Sequence, residues 1–242
     1  VTHPDHIRLI SNSGHDTDPT TSQRNHAIVS DALADGTDRD AGEFGPWLDR
    51  TDSVLRDKQP ASVPCGRCTG CCRGSFFIEI APHETATLAR IPAPLLFGAP
   101  GLPDGHKVMG FDKNGHCPML VDDACSIYAD RPATCRQFDC RTQVAAGIVD
   151  TDQAKSPVAQ QVLRWHFAVG SDEARASLAA IRRAARFMLR HPDVIPGCDH
   201  SASRLAGEAI VWREVFLDGS LSDEALRAAL LRRVRPGRHQ AD

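Results

Sequence analysis

The chain has no apolar run approaching the roughly 18 residues that a membrane-spanning helix requires, and little excess charge of either sign. A formal net charge of −3 over 242 residues gives no reason to expect nucleic acid or an anionic membrane as the main partner. No Ser/His/Asp triad can be assembled by spacing and no Gly-x-Gly-x-x-Gly or Walker loop is present. Nor does any His-x-Glu with a following cysteine pair support a zinc deaminase. Val1 to Ile10 carries His, Pro and Asp where a secretory signal needs a basic start and an apolar run. The expectation is a cytoplasmic protein, and the leading valine fits a GTG start codon in a GC-rich bacterium. What remains as a source of activity is metal chemistry.

Cysteine supplies it. Eight of the nine cysteines are grouped as Cys65-Gly-Arg-Cys68-Thr-Gly-Cys71-Cys72, then Cys117, Cys125, Cys135 and Cys140. Two-residue gaps let consecutive thiolates converge on one ion or one cluster. Disulfide frameworks belong mostly to small secreted domains, and a reducing compartment keeps thiols available as ligands. Neighbouring side chains diverge, by a half turn in extended chain and by about 100° in a helix. Cys71 and Cys72 are therefore expected to serve different centres, or different atoms of one cluster. Eight ligands suggest two sets of four: two zinc sites, one 4Fe-4S cluster plus a zinc site, or a single larger assembly with bridging sulfur. Spacing does not choose among them, because zinc and iron–sulfur clusters both accept four thiolates.

A four-thiolate centre of either kind carries a formal −2 charge, so nearby donors are expected. Arg67, Arg73, Arg136 and Arg141 lie within two residues of a cysteine and Arg131 lies four before Cys135, whereas no Lys comes within two residues of any of the eight. Arg131 and Arg136 are the two expected to hydrogen-bond the cofactor. His116, beside Cys117 and a Gly-containing turn, marks the expected open edge of the metal if there is catalysis. The ninth cysteine, in Pro196-Gly-Cys198-Asp-His200, reads as an isolated loop thiol.

Four regions are expected. Residues 1–42 read as a flexible arm rich in Asp, Thr, Ser, Gly and His, and 43–60 as an amphipathic helix carrying Phe44, Trp47, Leu48, Thr51, Val54 and Leu55 at helical spacing. Residues 61–148 form the cysteine-cluster metal-binding domain, with a short strand at Ser75 to Ile80, a short helix at Pro82 to Arg90 and a loop from Ile91 to Gly105. This part has too few apolar residues to fold on its own core. Residues 149–242 are helical, with helices over Ser156 to Val169, Ser171 to Arg190, Ser203 to Leu217 and Ser222 to Val234. The fold class is mainly α, with a small irregular cysteine-rich metal-binding core and at most a small β-sheet.

Cys65-x2-Cys68-x2-Cys71-Cys72, Cys117-Pro-Met-Leu, Cys125-Ser-Ile-Tyr128 and Arg131-Pro132-Ala-Thr-Cys135-Arg136-Gln-Phe138-Asp-Cys140 closely resemble the YkgJ-type cysteine cluster proteins. The resemblance covers about residues 61 to 145. It implies a zinc- or iron-chelating domain, one that also occurs in flagellin lysine-N-methylase, where it is associated with an iron–sulfur cluster. The methylase's substrate part is not recognisable here, so methyl transfer is not inherited. The expected cofactor is an iron–sulfur cluster, of the 4Fe-4S kind, and/or zinc. The first reading is an iron–sulfur-dependent oxidoreductase or transferase acting on a small-molecule or protein substrate; the alternative is a zinc-stabilised interaction module without catalysis.

Overall fold

The computed structural model describes residues 26–28, 39–57, 60–61, 63, 67–151, 156–195 and 201–233. The helices are α1 (Phe44–Asp57), α2 (Thr85–Arg90), α3 (Ala133–Gln137), α4 (Arg141–Ala146), α5 (Ser156–Val162), α6 (Asp172–Arg190), α7 (Ala202–Trp212) and α8 (Asp223–Arg233). The strands are β1 (His26–Ile28), β2 (Arg39–Glu43), β3 (Ile78–Ile80), β4 (Leu96–Phe97), β5 (Lys107–Met109), β6 (Leu120–Val121), β7 (Ala124–Cys125), β8 (Ile148–Asp150) and β9 (Trp165–Ala168). They form small sheets of two or three strands, so the protein is mainly α as expected. Residues 1–52, 141–151 and 162–242 make one compact unit, and residues 53–140 with 152–161 make a second.

The first unit is built on close-packed helices. Ser171 caps α6 through Ala174 N (3.1 Å), Asp172 and Glu173 occupy its first turn and Arg190 its last, each complementing the helix dipole. Ala180, Ala184 and Ala185 on α6 and Ala202, Ala206 and Ala209 on α7 are fully buried. Side chains this small let two backbones approach closely. Phe187 stacks on Phe216 (5.5 Å between ring centroids), while Phe44, Trp47 and Phe167 form an aromatic group.

Two expectations change in this unit. The helix anticipated over Ser156 to Val169 stops at Val162, and Trp165–Ala168 instead pairs in parallel with β2. Aromatic residues in Trp165-His-Phe167 favour a pleated surface, and buried Trp165 carries the Arg39 guanidinium over its ring. β2 and β1 both arise within the stretch read as a flexible arm, β1 pairing antiparallel with β8. The rest of that arm, residues 1–25 and 29–38, lies outside the described residues.

The second unit holds the short three-stranded antiparallel sheet β3-β5-β4. It has a small core: Ile80, Ile91, Met109, Met119 and Ile127 are buried, with Ile78, Leu88, Leu95, Leu96, Cys117 and Cys125 packed against them. These residues are scattered over turns and two- or three-residue strands, so no periodicity announces them in the sequence.

Candidate metal centre

Four segments of the second unit carry Cys71, Cys72, Cys117, Cys125 and Cys135. The first is the tight 3-10 turn Cys71–Arg73. Gly70 precedes it, where a Cβ would stand 3.0 Å from the Pro157 carbonyl oxygen, a contact tight enough that the neighbouring backbone would have to give. The second is the loop before Cys117. Asp112 Oδ1 accepts from Asn114 N (2.8 Å) and His116 N (2.9 Å), and Gly115 adopts a positive φ of 78°. Ser75 N and Oγ both donate to Gly115 O, and Cys117 N donates to Cys72 O (2.7 Å), fastening this loop to the first turn.

The third is the hairpin β6–β7. Asp122 and Asp123 both have positive φ, as a two-residue type I′ turn demands, and the register sets Cys125 opposite Leu120. The fourth is α3, which bears Cys135. Buried Glu84 secures it: Oε2 accepts from Ala133 N at the start of α3 (2.6 Å), Oε1 accepts from Ala81 N (3.0 Å), and Arg136 Nη2 stands 3.7 Å away. Thr134 Oγ1 donates to Glu79 O (2.9 Å), tying α3 to β3.

Five thiols thereby act on one another. Cys71 is drawn down to about 7, first by its hydrogen bond with Cys72, with the Arg131 charge helping. The same hydrogen bond, then burial, then the charges of Cys71, Cys117 and Cys125, push the Cys72 thiol up. Burial, then Cys71, Cys117 and Cys125, push Cys135 up to about 12. Cys117 is raised by burial and by Cys125 and Cys71. The vicinal Cys71 and Cys72 thiols hydrogen-bond to each other. Cys68, Cys71, Cys72, Cys117, Cys125 and Cys135 are free thiols.

The donor set fits a thiophilic cation. Several half-buried sulfurs crowded together resist ionisation, and a metal ion supplies the positive charge that makes thiolates stable there. Among the described residues no three His, Cys, Asp or Glu side chains meet at ligand spacing, so binding requires the sulfurs to draw together. Zinc and iron–sulfur iron both suit such sulfur donors.

The remaining expected residues have distinct placements. Cys68 donates to buried Gln161 Oε1 (3.5 Å) and accepts from Gly70 N, and Cys140 is buried. Cys65, Cys198 and His200 lie outside the described residues. Arg131 stacks on Tyr128 (4.0 Å), donates to Tyr128 O, and its charge reaches Cys71 and Cys135. Arg136 pairs with Glu84 and donates to Arg131 O. The most exposed described thiol of the eight is Cys71, whereas Cys117 is half-buried. His116 faces Arg73 at 3.4 Å; because guanidinium only donates, His116 Nε2 accepts and is engaged. Sequence reasoning missed Glu84 as the anchor of α3, its signal being no more than an acidic residue near a helix start.

Residues 64–156 match the family model CxxCxxCC, described as "Putative zinc- or iron-chelating domain". The segment is similar to that domain over these residues. The matched segment contains all eight clustered cysteines and the β3-β5-β4 sheet, and its far end reaches Ser156 at the start of α5. The chelating chemistry in the family's description agrees with the donor set of Cys71, Cys72, Cys117, Cys125 and Cys135. No curated protein and no solved structure matches the chain.

Proposed function

We propose that the matched segment holds a polynuclear thiolate-bound centre, an iron–sulfur cluster of the 4Fe-4S kind, and that the protein uses it in redox or group-transfer chemistry. The observation that carries this reading is that five thiols, Cys71, Cys72, Cys117, Cys125 and Cys135, lie near enough to influence one another's ionisation, one more than a single tetrahedral zinc accepts. Cys72, Cys117, Cys125 and Cys135 would hold such a centre, together with Cys71, the most exposed of the described thiols. Arg131, stacked on exposed Tyr128, offsets the thiolate charge there. When bound, such a cluster supplies electron transfer and, at an iron left without a thiolate, a place for a substrate to bind. The reading goes with a reducing cytoplasmic compartment, a small-molecule or protein substrate, and no nucleic-acid or membrane partner; among the described residues no helix is long and apolar enough to cross a membrane.

A second reading, a structural zinc site in an interaction module, is favoured by the small size of the second unit's apolar core, since metal closure contributes folding free energy to such units. Anaerobic purification of the full chain separates the two. Iron with comparable acid-labile sulfide and thiolate-to-iron absorption supports the cluster; stoichiometric zinc alone, with no iron taken up after reconstitution, overturns it.

A further inference from the structure

Three of the thiol-bearing segments meet at one side chain that is not itself a ligand. Arg73 Nε donates to Thr69 Oγ1 (3.2 Å), its Nη1 faces His116 Nε2 (3.4 Å), and its Nη2 pairs with Asp123 Oδ1. Thr69 enters the turn of Cys71 and Cys72. His116 immediately precedes Cys117, and Asp123 sits in the hairpin turn two residues before Cys125. A planar guanidinium with donors in a fixed fork can hold three acceptors in one arrangement; an ammonium on a flexible stem cannot.

The Cys117 loop has a second tie to the first turn, the Cys117 N to Cys72 O hydrogen bond. The Asp122–Asp123 hairpin is joined to Cys117 by Leu120 N to Cys117 O, while the Arg73–Asp123 pair links it directly to the turn of Cys71 and Cys72. We propose that Arg73 is a positioning residue of the metal centre, which sets Cys125 against Cys71 and Cys72 by clamping Asp123 and His116 to the 69–73 turn. The proposal rests on the reading that these thiols bind metal and is independent of which metal it is. Residues that orient ligands from outside commonly change metal affinity by about 10- to 100-fold when removed. An exposed ion pair with no such task contributes little.

The test uses cobalt(II) as probe, titrated anaerobically into the reduced, metal-free full chain and followed by thiolate-to-cobalt charge-transfer absorption. Arg73→Ala is expected to weaken binding at least about tenfold and to lower the charge-transfer intensity to that of Cys125→Ser. Arg73→Ala combined with Cys125→Ser should be no weaker than Cys125→Ser alone, because the clamp has nothing left to place. Arg73→Lys should recover only part of the loss. Asp123→Ala, at a side chain 79% exposed, reads the same contact should Arg73→Ala fail to fold. Arg90→Ala, which removes the exposed pair with Asp130, should leave binding unchanged. Wild-type affinity and intensity in both Arg73→Ala and Asp123→Ala, or additive losses in the double variant, overturn the positioning role while leaving metal binding intact. Absence of charge-transfer bands in the wild type overturns metal binding itself.

Discussion

Helix α6 buries seven side chains, four of them alanine, while α3, which carries Cys135, buries none. The contrast extends through the two units. The first excludes water with small residues at helix contacts and with paired aromatic rings. The second has a small apolar cluster of Ile80, Ile91, Met109, Met119 and Ile127 and uses its polar groups on turns near the thiols. A unit with little apolar burial has little hydrophobic stabilisation to draw on, so cohesion is expected to come from its metal. The difference teaches that one chain can fold one part by packing and another by ligation.

The largest effect should come from removing metal. Chelation under reducing conditions is expected to cost the second unit on the order of 10 kcal/mol. Hydrogen exchange read by segment should show protection lost across residues 67–140 and kept in α6 and α7. Equal loss in both units would break the comparison.

Phe187→Ala should act the other way round. Removing this buried ring from its contact with Phe216 should destabilise the first unit by about 3–5 kcal/mol. Thermal unfolding should report that loss, while metal content per chain stays constant.

Glu84→Ala tests whether polar ties matter where packing is thin. It leaves Ala81 N and Ala133 N without their carboxylate acceptor, at a cost of about 1–3 kcal/mol. Denaturant unfolding of the metal-loaded protein measures it, and loss of exchange protection should begin at α3.

The smallest effect is electrostatic. Hydrogen bonding from His191 and then Arg190 holds the exposed Asp223 carboxyl below its ordinary value of 3.8, and Arg227 does the same for Asp193. A carboxyl depressed in the folded state contributes stability above its unfolded pKa and loses it as pH falls through the folded one. The wild type should therefore be slightly more stable than the Asp193→Asn, Asp223→Asn variant at neutral pH. That advantage should begin to fall near about pH 4 and vanish once the pH is below the depressed folded values. An advantage that persists in acid would show that these ion pairs do not link α8 to the end of α6.

Much of the first unit is legible in the amino-acid sequence. The Ser171 cap, the acidic start and the basic end of α6 are contributed by neighbours along the chain, and Phe44, Trp47 and Leu48 declare the buried face of α1 through their spacing. β9 is not legible, because its ladder is supplied by β2, far away in the chain, and helical spacing continues through Trp165. The assignment of residues 152–161 to the cysteine-bearing unit is equally invisible there.

For the metal centre, the sequence by itself determined the chemistry of the donors: eight cysteines at ligating intervals, arginine rather than lysine beside them, and no competing catalytic motif. Only the tertiary structure decided which sulfurs lie near one another. Cys71 and Cys72 share one place, Cys68 rests on Gln161, Glu84 anchors the helix of Cys135, and Arg73 grips an aspartate 50 residues away. The physical reason is that ligand identity is a property of each side chain, whereas convergence depends on how turns, hairpin register and buried hydrogen bonds close the chain on itself.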